Sequence, residues 1–130
     1  MLLSQGPVPA LVHGALEYVV AVLLIAAPFL FGFEASSATA ASVVLGLGLL
    51  AFTATSRLPT GLTKAVSVGV HVTVDLVLAG ALVAVPFLFG FTEEGAPTAL
   101  FITLGVVHLL VTIATRFPER AARSGGGAPA

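Results

Sequence analysis

Ala65-Val-Ser-Val-Gly-Val-His-Val-Thr-Val-Asp-Leu-Val-Leu-Ala-Gly-Ala-Leu-Val-Ala-Val-Pro-Phe-Leu-Phe89 decides the fold of this chain. A bilayer core about 30 Å thick is crossed by about 20 apolar residues in a helix. This stretch exceeds that length with only His71 and Asp75 interrupting it, so it predicts a transmembrane helix. Three more stretches read the same way. Pro9–Phe31 contains His13 and Glu17, Thr39–Ser56 contains no ionisable residue, and Thr98–Thr115 contains His108. Pro97 falls in the first turn of the last, where its missing N–H costs nothing. The connections Glu34–Ala38, Arg57–Lys64 and Thr92–Ala96 are short and force neighbouring helices antiparallel. The expected fold is therefore all-α, a four-helix transmembrane bundle forming one membrane domain over residues 1–130, with residues 119–130 as a solvated, flexible cytoplasmic tail.

Composition supports the same class. The chain is 58% hydrophobic and 8% charged, with a mean hydropathy of +1.13; soluble proteins carry about 25% charge. That excludes an ordinary soluble enzyme and also disorder, which needs low hydrophobicity. A net charge of −1 provides no basic field for nucleic acid. Without cysteine there are no disulfides, thiolate metal sites or cysteine nucleophiles. Trp is absent and Tyr18 is the single Tyr, so the usual interfacial aromatic belt is missing and the nine Phe partly replace it. Arg exceeds Lys amid abundant Ala, Val, Gly and Leu, a usage that fits a GC-rich bacterial genome. The beginning of the chain lacks the basic region and cleavage site of a signal peptide.

Arg57, Lys64, Arg116, Arg120 and Arg123 all fall on one side of a four-span topology, whereas the two loops on the other side carry Glu34, Glu93 and Glu94. The positive-inside rule then predicts a multi-pass protein of the cytoplasmic (inner) membrane with both termini in the cytoplasm.

The chain also contains itself twice. Pro28-Phe-Leu-Phe-Gly-Phe33 recurs as Pro86-Phe-Leu-Phe-Gly-Phe91. His13 and His71 precede the two prolines at the same distance, and Glu17 and Asp75 follow the two histidines by four residues. Leu45-Gly46 matches Leu104-Gly105, and Arg57-Leu58-Pro59 matches Arg116-Phe117-Pro118 after one inserted residue. Repeat one covers about residues 10–59 and repeat two about residues 68–118. Each copy holds two spans, so the copies share one orientation about an axis along the membrane normal, unlike the inverted repeats of many secondary transporters.

This repeat resembles the SPW-repeat family of small bacterial integral membrane proteins, which carries a Ser-Pro-Trp signature in the first of two transmembrane helices, followed by an apolar stretch and Gly-Phe. The signature positions here read Ala27-Pro28-Phe29 and Val85-Pro86-Phe87, with Gly32-Phe33 and Gly90-Phe91 following. The Pro and Gly-Phe match; the Ser and Trp are replaced. The resemblance implies a multi-pass membrane protein and no particular biochemical activity. Physically, a proline near a helix end followed by glycine reads as a helix stop. A lip that binds an apolar ligand is the lesser reading.

His13, Glu17, His71, Asp75 and His108 form the candidate intramembrane polar cluster. A charge at mid-bilayer costs at least about 2.5–3.5 kcal/mol on insertion scales, so two acids at equivalent repeat positions need compensation. The i,i+4 spacing puts His13 on the face of Glu17 and His71 on that of Asp75, and the pseudo-twofold axis brings the faces together. The acids lie about 6 Å deeper than the histidines. His108 matches Leu49, so any site using it is asymmetric. Three readings stay open. The preferred one is structural, with hydrogen bonds joining helices one and three. The second is a proton-linked or small-ion transport element. The third is a metal or haem site, disfavoured because no Glu-x-x-His motif is present and haem needs more room. No nucleophile motif or phosphate loop occurs, and Gly46-Leu-Gly48 lies mid-helix, so neither an enzyme nor a cofactor is expected. Ser42/Gly46 and Gly80/Ala84 are small-xxx-small pairs that favour close helix contact, within the chain or between subunits. The expected role is structural or accessory, with the lipid bilayer as surroundings and a homo-oligomer or larger membrane complex as assembly.

Overall fold

Backbone amides in hydrocarbon have no water to bond, so a span must satisfy them within itself, and all four apolar stretches are helical. The computed structural model describes residues 6–117; the expected tail, 119–130, lies outside them. A two-residue strand β1 (Val8–Pro9) leads into α1 (Ala10–Leu30). Then follow α2 (Ser36–Ala54), α3 (Val68–Leu88), α4 (Gly95–Ala114) and a second short strand, β2 (Thr115–Arg116). Each helix is long and apolar enough to cross a membrane. Helices α1 and α2 pack closely as one hairpin and α3 and α4 as another, while far fewer residues approach between hairpins.

Helices α2 and α4 start at Ser36 and Gly95, ahead of the expected Thr39 and Thr98. Their first turns are small or polar and escape a hydropathy reading. Thr39 N–H bonds the Ala35 carbonyl at 3.1 Å and Thr98 N–H that of Glu94 at 3.3 Å, so the ladder runs back past the apolar stretch. Pro97 lies in the first turn of α4, as expected.

The repeated Pro-Phe-Leu-Phe-Gly-Phe segment ends α1 and α3. Pro28 and Pro86 sit in the last turn of their helices. Gly32 and Gly90 take the left-handed conformation, φ 62° and 71°. The following Phe33 and Phe91 return their N–H to the Pro28 and Pro86 carbonyls, each at 3.0 Å. This is the Schellman arrangement, and a side chain at either glycine would be strained. Phe29, Leu30 and Phe31 face outward, as do Phe87, Leu88 and Phe89.

The buried faces repeat residue for residue. On α1 they comprise Ala10, His13, Gly14, Glu17, Ala21, Leu24, Ala27 and Pro28. On α3 they comprise the equivalents Val68, His71, Val72, Asp75, Ala79, Leu82, Val85 and Pro86. Ala38, Ser42, Gly46, Leu49 and Thr53 of α2 correspond in the same way to Pro97, Phe101, Gly105, His108 and Thr112 of α4. The result is three layers. Leu24, Ala38, Leu82, Val85, Phe91, Phe101 and Leu104 form an apolar core toward the proline end. The histidines and acids lie toward the other end, closed by Leu58, Val68, Val72 and Phe117.

Glycine makes each hairpin possible. A Cβ on Gly46 would lie 2.8 Å from the Ala21 carbonyl oxygen and 2.7 Å from Ile25, and one on Gly105 would lie 2.8 Å from the Ala79 oxygen and 2.7 Å from Val83. Ser42 tightens the first hairpin by donating to the Leu24 carbonyl at 2.5 Å. Gly80, by contrast, faces outward with nothing near, so it takes no part in packing within the chain, while Ala84 is half-buried. Gly46→Ala and Gly105→Ala are each expected to destabilise the protein by about 1–3 kcal/mol through overpacking. Gly48→Ala, which enters open space, should leave the unfolding midpoint in detergent unchanged or raised. Equal midpoints for Gly46→Ala and Gly48→Ala would contradict this packing.

The hairpins are also tied reciprocally at their histidine ends, a feature the hydropathy pattern does not announce. Before α1, Val8 pairs in parallel with Thr115, which follows α4; Ser56, which follows α2, pairs in parallel with Val66, which precedes α3. Arg116 Nε donates to the Gly6 carbonyl at 3.2 Å and Arg57 Nε to the Lys64 carbonyl at 2.9 Å. These are the same contact in the two repeats. At the proline end the tie is one-sided. The Glu94 carboxylate accepts from Glu34 N–H at 2.6 Å and Ala35 N–H at 3.0 Å, an anion placed on the positive end of α2.

Candidate functional site

A helix rising about 1.5 Å per residue carries His13 and Glu17 on one face, one turn apart, and the second repeat does the same with His71 and Asp75. Because the hairpins meet on these faces, four side chains from α1 and α3 converge. One ligand-type atom from each lies within 4.8 Å of the others. His13 Nε2 is 2.9 Å from Glu17 Oε2 and 3.0 Å from Asp75 Oδ2. His71 Nε2 is 2.8 Å from Glu17 Oε1 and 3.2 Å from Asp75 Oδ2. His108 enters from α4, past its midpoint, with Nε2 3.4 Å from Asp75 Oδ1 and 3.8 Å from Glu17 Oε2. All five residues are buried, and His13, His71 and Asp75 have no exposed surface. The structure thus brings the five intramembrane residues together, and helix four contributes beside helices one and three.

The outer shell contains groups that the hydropathy reading passed over. His13 Nδ1 lies 2.8 Å from Thr115 Oγ1, and His71 Nδ1 lies 2.5 Å from Ser56 Oγ. Each hydroxyl has one proton and has already committed it. Thr115 donates to the Val111 carbonyl at 2.5 Å and Ser56 to the Phe52 carbonyl at 2.7 Å. With those protons so placed, both imidazoles donate from Nδ1, and both Nε2 atoms point at the carboxylates. Each histidine is held by a hydroxyl of the opposite repeat. Ser56 and Thr115 directly precede the matching Arg-Leu-Pro and Arg-Phe-Pro triplets, so a hydroxyl at equivalent positions was the available signal.

Elsewhere the repeats diverge. Thr53 Oγ1 donates to Glu17 Oε1 at 3.0 Å, whereas its equivalent Thr112 is buried without a hydrogen-bond partner among the described residues. Asp75 Oδ1 and His108 Nε2 are likewise buried and unpartnered. Phe52 stacks on His71, with ring centroids 4.6 Å apart, and Phe117 meets His13 edge-on at 5.0 Å. The motif residues Pro28, Phe29, Gly32, Phe33, Pro86, Phe87, Gly90 and Phe91 lie at the opposite end of the helices and do not touch the cluster. Of these, Phe91 packs edge-on against Phe101 at 5.6 Å.

Four apolar helices of spanning length around a buried His/carboxylate cluster define a small multi-pass membrane protein. The SPW repeat domain model matches residues 11–115, and the chain belongs to that family. No curated protein and no solved structure matches it. The substituted signature positions have a physical explanation here. Ala27 and Val85 fill the buried position where the signature has Ser. Phe29 and Phe87, which replace the Trp, project outward at 74% and 64% exposure, so either aromatic fits there without repacking the core.

Proposed function

We propose that this protein is a structural or accessory membrane protein, not an enzyme, whose polar cluster clasps its two hairpins. One observation carries the reading: every His, Asp and Glu within the four helices is turned into the single buried cluster, leaving none of them on the lipid-facing surface. Buried polar groups must be partnered. Here the partners come from opposite repeats, so the bonds hold only when the hairpins are docked. Placement in the cytoplasmic membrane, with the Arg57–Lys64 loop and both termini in the cytoplasm, is supported by the distribution of basic residues. Assembly as a homo-oligomer or as a subunit of a larger membrane complex is supported by the outward-facing Gly80, where another helix can approach closely.

The test combines Glu17→Gln with Asp75→Asn. The clasp predicts a loss of about 1–3 kcal/mol in detergent unfolding and no proton or sodium flux in proteoliposomes from either protein. Flux through the unsubstituted protein that the double variant abolishes would replace this reading with the transport element. An unchanged unfolding midpoint would remove the clasp.

A further inference from the structure

We propose that His13, Glu17, His71, Asp75 and His108 are the ligands of one buried site for a first-row divalent transition metal ion. The inference rests on the clasp only in that the same side chains face one another. A network of hydrogen bonds alone does not serve every atom of the cluster. It leaves Asp75 Oδ1 and His108 Nε2 buried and unpartnered, although they face each other at 3.4 Å. Both Nδ1 protons are taken up by hydroxyls, so each Nε2 that faces a carboxylate carries either a second proton, as an imidazolium, or a lone pair. Metal-bound histidines carry this pattern: one nitrogen donates to an oxygen that fixes the ring, and the other offers its lone pair to the ion.

The spacing fits as well. Ligands about 2.0–2.2 Å from an ion stand about 3.0–3.5 Å from one another; here the nitrogen–oxygen separations run from 2.8 to 3.8 Å and the four atoms from α1 and α3 lie within 4.8 Å, so the side chains draw in slightly around an ion while His108 approaches from the acid side. One dication balances two carboxylates, so the filled site is neutral with three neutral imidazoles, as burial in lipid requires. Three imidazoles and two carboxylates suit zinc, iron(II) or manganese. They do not suit calcium or magnesium, which take oxygen ligands. Carboxylate oxygens at 2.8–3.0 Å from the imidazole nitrogens leave no room for a porphyrin.

The experiment uses the full chain purified without a histidine tag, stripped with a chelator and titrated with Zn2+ and Co2+. One equivalent of either ion per chain is expected, with a Co2+ absorption spectrum of nitrogen and oxygen ligation. His108→Leu, which restores the side chain that repeat one carries as Leu49, should weaken binding at least about tenfold. Ser56→Ala should weaken it about 10–100-fold through the freed His71 ring. Two results would overturn the site: no stoichiometric uptake by the stripped protein, or unchanged affinity in His108→Leu. Unfolding of the stripped protein tests the clasp separately. A stable chain that takes up no ion removes the metal and keeps the clasp, whereas a chain that binds the ion yet is indifferent to the Glu17→Gln, Asp75→Asn pair when stripped does the reverse.

Discussion

Glu17→Ala is expected to destabilise the metal-stripped protein by about 3–5 kcal/mol, more than Asp75→Ala does. The two acids are equivalent in the repeat but not in their bonds. Glu17 accepts from Thr53 on Oε1, where it also meets His71, and meets His13 on Oε2. Asp75 has one hydrogen bond, to His13 through Oδ2, and an unpartnered Oδ1. Interhelical bonds in membranes contribute roughly 0.6–2 kcal/mol each. Removing Glu17 forfeits three contacts, orphans the Thr53 hydroxyl and leaves His71 only the longer approach to Asp75 at 3.2 Å, which brings the loss into the range for breaking a buried pair. Asp75→Ala should cost about 1–3 kcal/mol, because His13 keeps Glu17 as a partner. Denaturant unfolding in detergent measures both, and an equal or larger loss for Asp75→Ala would show the bonds to be distributed otherwise.

Phe117→Ala should cost about 3–5 kcal/mol, the usual range for a fully buried phenylalanine, of which about 0.5–1.5 belongs to the edge-on contact with His13. Phe117 has no exposed surface and with Leu58 closes the histidine end over the cluster. Its removal leaves a cavity beside His13 on the water-facing side. The variant should therefore combine a lowered midpoint with faster modification of His13 by diethyl pyrocarbonate, read by mass spectrometry. Phe29→Ala, which removes a ring facing lipid, should change stability by no more than about 0.5 kcal/mol and leave His13 protected. If Phe117→Ala matched Phe29→Ala in both readouts, Phe117 would not be the lid.

Much of the architecture was legible in the residues because the repeat supplies a second reading of every position. The register that aligns His13 with His71 also predicts that Ala21 and Ala79, Leu24 and Leu82 and, after the one-residue insertion, Gly46 and Gly105 share environments, and they do. Which apolar side chains face inward was harder to read. In water the core face of a helix is apolar and the other polar. In lipid both are apolar, so Val19 and Leu24 look alike although one is exposed and the other buried. Only rare polar and small residues mark the inner face. Ser42 and Gly46 did so in the first hairpin, while Gly80 in the second points outward.

Length, hydropathy and the internal repeat by themselves determined four spans, two like-oriented hairpins and the four-residue spacing of histidine and acid, because these follow from bilayer thickness and helix pitch. The meeting of His108 with the acids, the exchange of hydroxyl partners between repeats and the inequality of Glu17 and Asp75 were decided by tertiary structure alone. Those depend on how two hairpins are rotated and docked, across separations of up to 102 residues, and no local pattern encodes that rotation.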